Sequence, residues 1–210
     1  MSSIADQLRF EPASLPPESE ALRVEVREFL NTELKDYSVI QRSHSWEAYD
    51  AEFSAKLGAK GWLGLTLPKE YGGQGRSAFD RYVVVEECLV AGAPTAFHWV
   101  AVRQSGTLLT RYGSETQKKT IIPRITAGKA CFAIGMSEPN SGSDLASLKT
   151  KAERTNSGWL VNGTKIWTSN AHRADYMIAL FRTDPDPNKK HAGLSQFLID
   201  LKQVKGITPR

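Results

Sequence analysis

The chain has 210 residues, of which 40% are hydrophobic, 9% aromatic and 24% charged, with 16 Gly and 10 Pro. This composition excludes a disordered or fibrous protein, and at roughly 100–200 residues per domain it allows one large or two small domains with a real core. Its 27 basic and 23 acidic residues leave a formal charge of +4 that is scattered along the sequence, so nucleic acid is not an expected partner.

No stretch approaches the ~20 consecutive apolar residues of a membrane span. The opening MSSIADQLRF lacks the basic and apolar regions of a secretory leader. A cytoplasmic protein with no membrane span is the expectation. Cys88 and Cys131 are the only cysteines, too few for a disulfide framework or a cysteine-built metal site, and they read as buried free thiols.

The first half reads as helical. Residues 17–36 follow Pro16-Pro17 and place Leu22, Val26, Phe29, Leu30 and Leu34 near helical spacing. A second helix is expected over 46–60, carrying Trp46, Tyr49, Phe53 and Leu57 and ending at Gly61. Residues 77–91 read as a third helix, central and buried because VVVEECLV is apolar on most faces, and residues 95–112 as a fourth. Ser114 and Gln117 form a capping box for a fifth, which Pro123 should kink or restart. Between the second and third helices lies GWLGLTLPKEYGGQG, residues 61–75, whose glycines and proline exclude a helix. It lacks a Gly-Lys-Ser/Thr ending and is no P-loop.

After Gly128 the pattern changes. CFAIGMS, residues 131–137, reads as a buried strand, and WLVNGTKIW, residues 159–167, as a hairpin turning at Asn162-Gly163. YMIALFR (176–182) and LSQFLIDL (194–201) are further strands, joined by a charged, proline-containing loop at 184–193, and Ile207 can open another. A sheet ending there would leave an edge unpaired, which reads as a truncation or a boundary shared with another chain.

Two segments carry polar chemistry. In MSEPNSGSD, residues 136–144, Pro139 and Gly142 force a tight turn in which hydroxyls and backbone N–H groups can converge on a phosphate or a heterocycle edge. An ordinary Asx or Ser turn accounts for the same residues. In KIWTSNA, residues 165–171, the Trp167 indole offers a flat apolar face followed by Thr168, Ser169 and Asn170, which suits a planar cofactor. A core tryptophan is the alternative.

Together these residues resemble the acyl-CoA dehydrogenase family of flavoproteins. The stretch from Gly135 to Asp144 is similar to the family signature, and it stands in the family's order with GWLG, PKEYGGQG, YGSETQKK, IIPRITAGK, NGTKIWTSNA and Ala174-Asp175. The resemblance covers nearly all of this chain and about the first half of a full-length member. It implies an α+β fold: an N-terminal helical domain, residues 1–127, and an incomplete, β-barrel-like middle domain, residues 128–210, which binds FAD.

By position, the resemblance places Ile134, Met136, Ser137, Gly142, Ser143, Trp167, Thr168 and Ser169 at the cofactor. Ser137 would stand near the pyrimidine edge, Trp167 beside the ring, and Thr168 and Ser169 near O4 and N5. Ser143 would lie by the pyrophosphate and also by the pantetheine arm of an acyl-CoA substrate. Ile134 stands where many members have an aromatic residue, and Ser169 where many have threonine.

The implied reaction is α,β-dehydrogenation of an acyl thioester, with an electron-transfer flavoprotein or similar acceptor taking the electrons and a homo- or hetero-oligomer as the working form. A glutamate removes the α-proton in the family, but it belongs to a C-terminal helical domain, so no residue here is assigned as catalytic and the chain alone is expected to be inactive. Glu138 reads as structural, Glu86 and Glu87 as hydrogen-bonded core carboxylates, and His98 as a core or surface histidine. Phe97, His98, Trp99 and Val102 are candidates for an acyl-chain wall, with core packing the stronger reading. Two other functions fit the same motifs: a catalytically silent half-length subunit or fragment, and an acyl-CoA oxidase or flavin monooxygenase relative. Electron-acceptor preference separates the last from a dehydrogenase.

Overall fold

Pro17, whose fixed φ suits a first helical turn, opens α1 (Pro17–Glu33). The computed structural model describes residues 14–186 and 188–209, so the opening residues read above for a leader lie outside it. Helix α2 (Val39–Ser43) is a single turn closed by a capping box of Ser38 and Gln41. Asp50 then caps α3 (Ala51–Ala59) by accepting from the Phe53 N–H at 2.8 Å. The single helix expected over 46–60 is therefore shorter, because Asp50 is a strong N-cap and the chain before it is turned.

Glycine-rich residues 61–75 form no α-helix but fold back on themselves. Two 3-10 turns, Trp62–Gly64 and Lys69–Tyr71, are tied by Gln74 N–H to Gly64 O and Gly75 N–H to Leu67 O. Gly73 permits this because a Cβ there would sit 2.1 Å from the Leu67 carbonyl oxygen.

Helix α4 (Ala78–Val90) starts at a second capping box, Ser77 with Asp80. Helix α1 lays Leu22, Val26 and Leu30 against Val83, Val84 and Cys88 in one core cluster. Burying such side chains is worth roughly 1.5–3 kcal/mol each. Along the seam, Arg23 and Arg27 close on the buried Glu87 at 2.5 and 2.6 Å, and Ser19 donates to Asp80 at 2.8 Å. Glu87 is thus the hydrogen-bonded core carboxylate expected, while Glu86 is half-exposed and paired to Arg23.

The fourth expected helix begins at Trp99, after a turn over residues 96–98. It contains a π turn, Ala101–Ser105, before α5 (Gly106–Tyr112). Helix α6 (Glu115–Thr126) has the predicted Ser114–Gln117 box and runs through Pro123 without restarting.

The sheet is mixed. Strand β1 (Phe132–Gly135) lies parallel to β4 (Tyr176–Arg182), and β5 (Leu194–Asp200) is antiparallel to β4 along its whole length. Strand β2 (Lys151–Thr155) touches β4 at Lys151–Arg182 and pairs with β3 (Gly158–Asn162). Strand β4 is accordingly central, with Ile178, Met177, Ala179 and Phe181 buried. Phe132 and Ile178 join the core with Ile121, Ile122 and Ile125 of α6, which fixes the sheet against the helices.

The hairpin is corrected by one strand. It joins β2 to β3 through Asn156-Ser157, whereas Asn162-Gly163 ends β3 and residues 163–167 are irregular. Gly163 serves close approach: a Cβ there would lie 2.3 Å from Thr150 Oγ1. Strand β2 escaped notice because only Ala152 of KAERT is buried. The strand expected at Ile207 does not form; residues 201–209 are turn and coil.

Candidate functional site

Strand β1 delivers its last residues to the edge of the helical half. After Gly135 the chain leaves the sheet, and Met136 and Ser137 meet the segment 165–170 arriving from the other side. Three bonds hold the two together: Ile166 N–H to Ser137 O at 2.9 Å, Lys165 Nζ to Met136 O at 3.0 Å, and Lys165 Nζ to Glu138 Oε1 at 2.8 Å. The Glu138 carboxylate also accepts from the backbone N–H groups of Lys149 and Thr150 at 2.7 and 3.0 Å.

Burial alone would raise the Glu138 carboxyl. The Lys165 ammonium and the two N–H groups outweigh it and pull the group down to about 2. Held by these three bonds and absent from the lining of the cleft described next, Glu138 is structural.

This clamp opens a cleft of about 590 Å³ between the β1 end and the helical half, within the roughly 300–1,000 Å³ usual for small-molecule sites. Ile134, Met136 and Ile166 give it an apolar wall, Ser137, Ser169 and Asn170 a polar rim, and Trp167 stands at its edge. Trp167 and Asn170 have φ of 57° and 63°, the left-handed region that side-chain-bearing residues seldom occupy. The resulting bend leaves the Trp167 indole 86% exposed. It is no core tryptophan.

Trp46 and Trp99 line the opposite wall, with ring centroids 4.5 Å apart, together with Arg103 and Gln104.

The cleft therefore gathers Ile134, Met136, Ser137, Trp167 and Ser169 of the expected residues. Thr168 turns its hydroxyl back to Ile166 O at 3.4 Å and does not line it. Gly142 and Ser143 lie on an exposed bend outside it. That bend is closed on itself: Glu138 and Ser141 exchange both backbone bonds, and Ser141 Oγ donates to Asp144 O at 2.9 Å.

A smaller cavity of about 180 Å³ lies behind the bend, between Glu138–Ser141, Ser147, Lys149-Thr150 and Gly163-Thr164. Among the acyl-wall candidates only Trp99 reaches the large cleft. Phe97 packs on Tyr49 at 5.2 Å, Val102 joins the core, and buried His98 bonds through Nδ1 to Ser54 Oγ at 2.8 Å. Burial pushes the His98 imidazole down to about 4, so it is neutral at pH 7. Trp46, Arg103 and Gln104 were not read from the sequence. The spacing of Trp99, Val100 and Arg103, with Arg103 four and three residues beyond the other two, was the available signal.

Cys88 and Cys131 are free and buried, and burial pushes their thiols up to about 12 and about 11. Among the described residues there is no cluster of three or more potential metal ligands, and no helix is long and apolar enough to cross a membrane.

Comparison with known proteins adds identity to this geometry. The family model for "Acyl-CoA dehydrogenase, N-terminal domain" matches residues 16–129, and that for "Acyl-CoA dehydrogenase, middle domain" matches residues 133–210. Acyl-CoA dehydrogenase FadE26 of Mycobacterium tuberculosis is 39% identical over 193 residues, which is 89% of this chain and 48% of that protein. The ChsE4-ChsE5 complex from Mycobacterium tuberculosis matches with a TM-score of 0.78 and 39% identity over 90% of this chain and 48% of that one. A glutaryl-CoA dehydrogenase from Mycobacterium smegmatis, solved in complex with FADH2, matches with a TM-score of 0.74 and 32% identity over 89% of this chain and 46% of that one. The chain spans about half the length of the curated relatives it matches.

Proposed function

Because the chain belongs to the acyl-CoA dehydrogenase family, we propose that it forms the helical part (1–127) and the flavin-facing part (128–210) of an FAD-dependent enzyme that dehydrogenates acyl-CoA thioesters. The observation that carries this is the cleft, in which the β1 end and the 165–170 bend are clamped face to face by Lys165 and the Ile166–Ser137 bond.

The residues present fit a flavin ring. Ile134, Met136 and Ile166 offer a flat apolar bed, Ser137 and Ser169 offer hydroxyls at its margin, and Trp167 offers an uncovered aromatic face. The glutaryl-CoA dehydrogenase complexed with FADH2 supports the same ligand here. Bound there, FAD supplies the electron acceptor for the reaction. This chain's own side chains bind, orient and exclude water; Gly142 and Ser143 on the outer bend, and Thr168 beside Ile166, do not line the cleft, and a part for them toward the cofactor and pantetheine rests on the family resemblance alone.

Glu47 is the one carboxylate among the described cleft residues. Its side chain is 79% exposed, with His44 Nδ1 at 3.8 Å. With Glu138 locked, the α-proton base is assigned to a carboxylate outside residues 1–210, and the chain by itself is expected to be inactive. An electron-transfer flavoprotein or similar acceptor as oxidant, assembly with another chain, and a cytoplasmic location where free thiols persist belong to the same proposal.

A second reading, a subunit that completes its site with a partner, is favoured by the ChsE4-ChsE5 complex. The test is the anaerobic flavin absorbance of the purified protein containing this chain. Bleaching on addition of acyl-CoA is expected; bound flavin indifferent to a panel of thioesters contradicts the dehydrogenase reading.

A further inference from the structure

The wall of the cleft opposite the β1 end is not what a purely apolar acyl chain needs. The π turn Ala101–Ser105 closes with Gly106 N–H on Ala101 O, five residues apart, and this wider turn brings both Arg103 and Gln104 into the cleft beside Trp99. Such single π turns recur at functional sites because they re-aim side chains that an α-helix would direct elsewhere.

The Arg103 guanidinium lies over the Trp99 ring, 5.5 Å from its centroid. The contact places the cation at the ring and leaves its N–H groups, all of them donors, available. Among the described residues Arg103 forms no ion pair; Glu47, which lines the same cleft, lies 3.8 Å from His44 Nδ1. A cation and an amide thus stand at one end of a cleft whose other walls are Trp46, Ile134, Met136 and Ile166. Arg103 and Gln104 are both exposed, so their donors are open to a ligand that brings its own acceptor.

We propose that Arg103, assisted by Gln104, is a specificity-determining residue that selects acyl groups ending in a hydrogen-bond acceptor, a carboxylate above all, over acyl groups ending in a methyl. This rests on the reading of the cleft as an acyl-thioester site.

The test uses hexanoyl-CoA and adipoyl-CoA, which differ only in a terminal methyl against a carboxylate. Each is titrated into the purified protein and followed by tryptophan emission, which Trp46 and Trp99 make sensitive to the cleft. Adipoyl-CoA should bind about tenfold more tightly. Arg103→Met should abolish that ratio while leaving the hexanoyl-CoA affinity within about twofold, and Arg103→Lys, which keeps the charge, should retain part of it. Equal affinities in the wild type, or a preference that survives Arg103→Met in a folded protein, would overturn the role of Arg103 and leave the acyl-thioester site standing. Failure of both thioesters to bind would overturn that site, and this inference with it.

Discussion

At the scale of single residues, the Lys165–Glu138 pair organises the site without taking part in its chemistry. Both side chains are under 10% exposed, and the ammonium bridges the two segments that form the cleft. Removing one partner strands the other charge in a buried place, so Lys165→Met is expected to cost about 3–5 kcal/mol of stability and to weaken any ligand of the cleft, as denaturant midpoints and ligand titration would record.

Two buried groups also set the acid limit of the fold. The His98 imidazole is held down to about 4 from 6.5 by burial. The unfolded chain takes up that proton first, so stability falls as pH drops from about 6.5 toward about 4. Glu138, held at about 2 against an ordinary 4.5, contributes stability that is present above about 4.5 and is lost as pH falls toward about 2. Urea midpoints measured across both windows should show two successive losses. His98→Asn should remove the upper one and Glu138→Gln the lower.

At the scale of elements, the helices were legible where caps and periodicity agree. The Pro17 start of α1 and the Ser114–Gln117 box of α6 are where the sequence puts them. The failures have a common cause, a local signal used for another purpose. Asn162-Gly163 looks like a turn, yet its glycine lets the backbone pass Thr150, and the real turn at Asn156-Ser157 follows a charged strand with no apolar alternation. A comparison of two glycines measures this. Gly163→Ala, with φ 153° and a Cβ 2.3 Å from Thr150 Oγ1, should cost about 2 kcal/mol or more. Gly142→Ala, with nothing within 4 Å, should stay within about 0.5 kcal/mol. Thermal denaturation of the two variants reads the contrast. The π turn was invisible for a different reason: one extra residue in a helical turn leaves the apolar spacing of 95–112 nearly unchanged.

At the scale of the whole molecule, the order of helices, then sheet, was readable from the change of hydrophobic period after Gly128, and the motifs carried the family. The β1 side of the cleft was readable as well, because Ile134, Met136, Ser137, Trp167 and Ser169 lie in two short continuous segments. The helical wall was not, since Trp46 and Arg103 are more than fifty residues apart and are brought together only by tertiary packing.

The most direct measurement is a crystal structure of the protein solved with FAD. The isoalloxazine should lie along Ile134–Ser137, between Ser137 and the Trp167–Ser169 bend, with the Trp46–Trp99 wall left for the acyl group. A ring bound elsewhere, or a Ser137–Trp167 cleft that stays closed to flavin, would contradict the account.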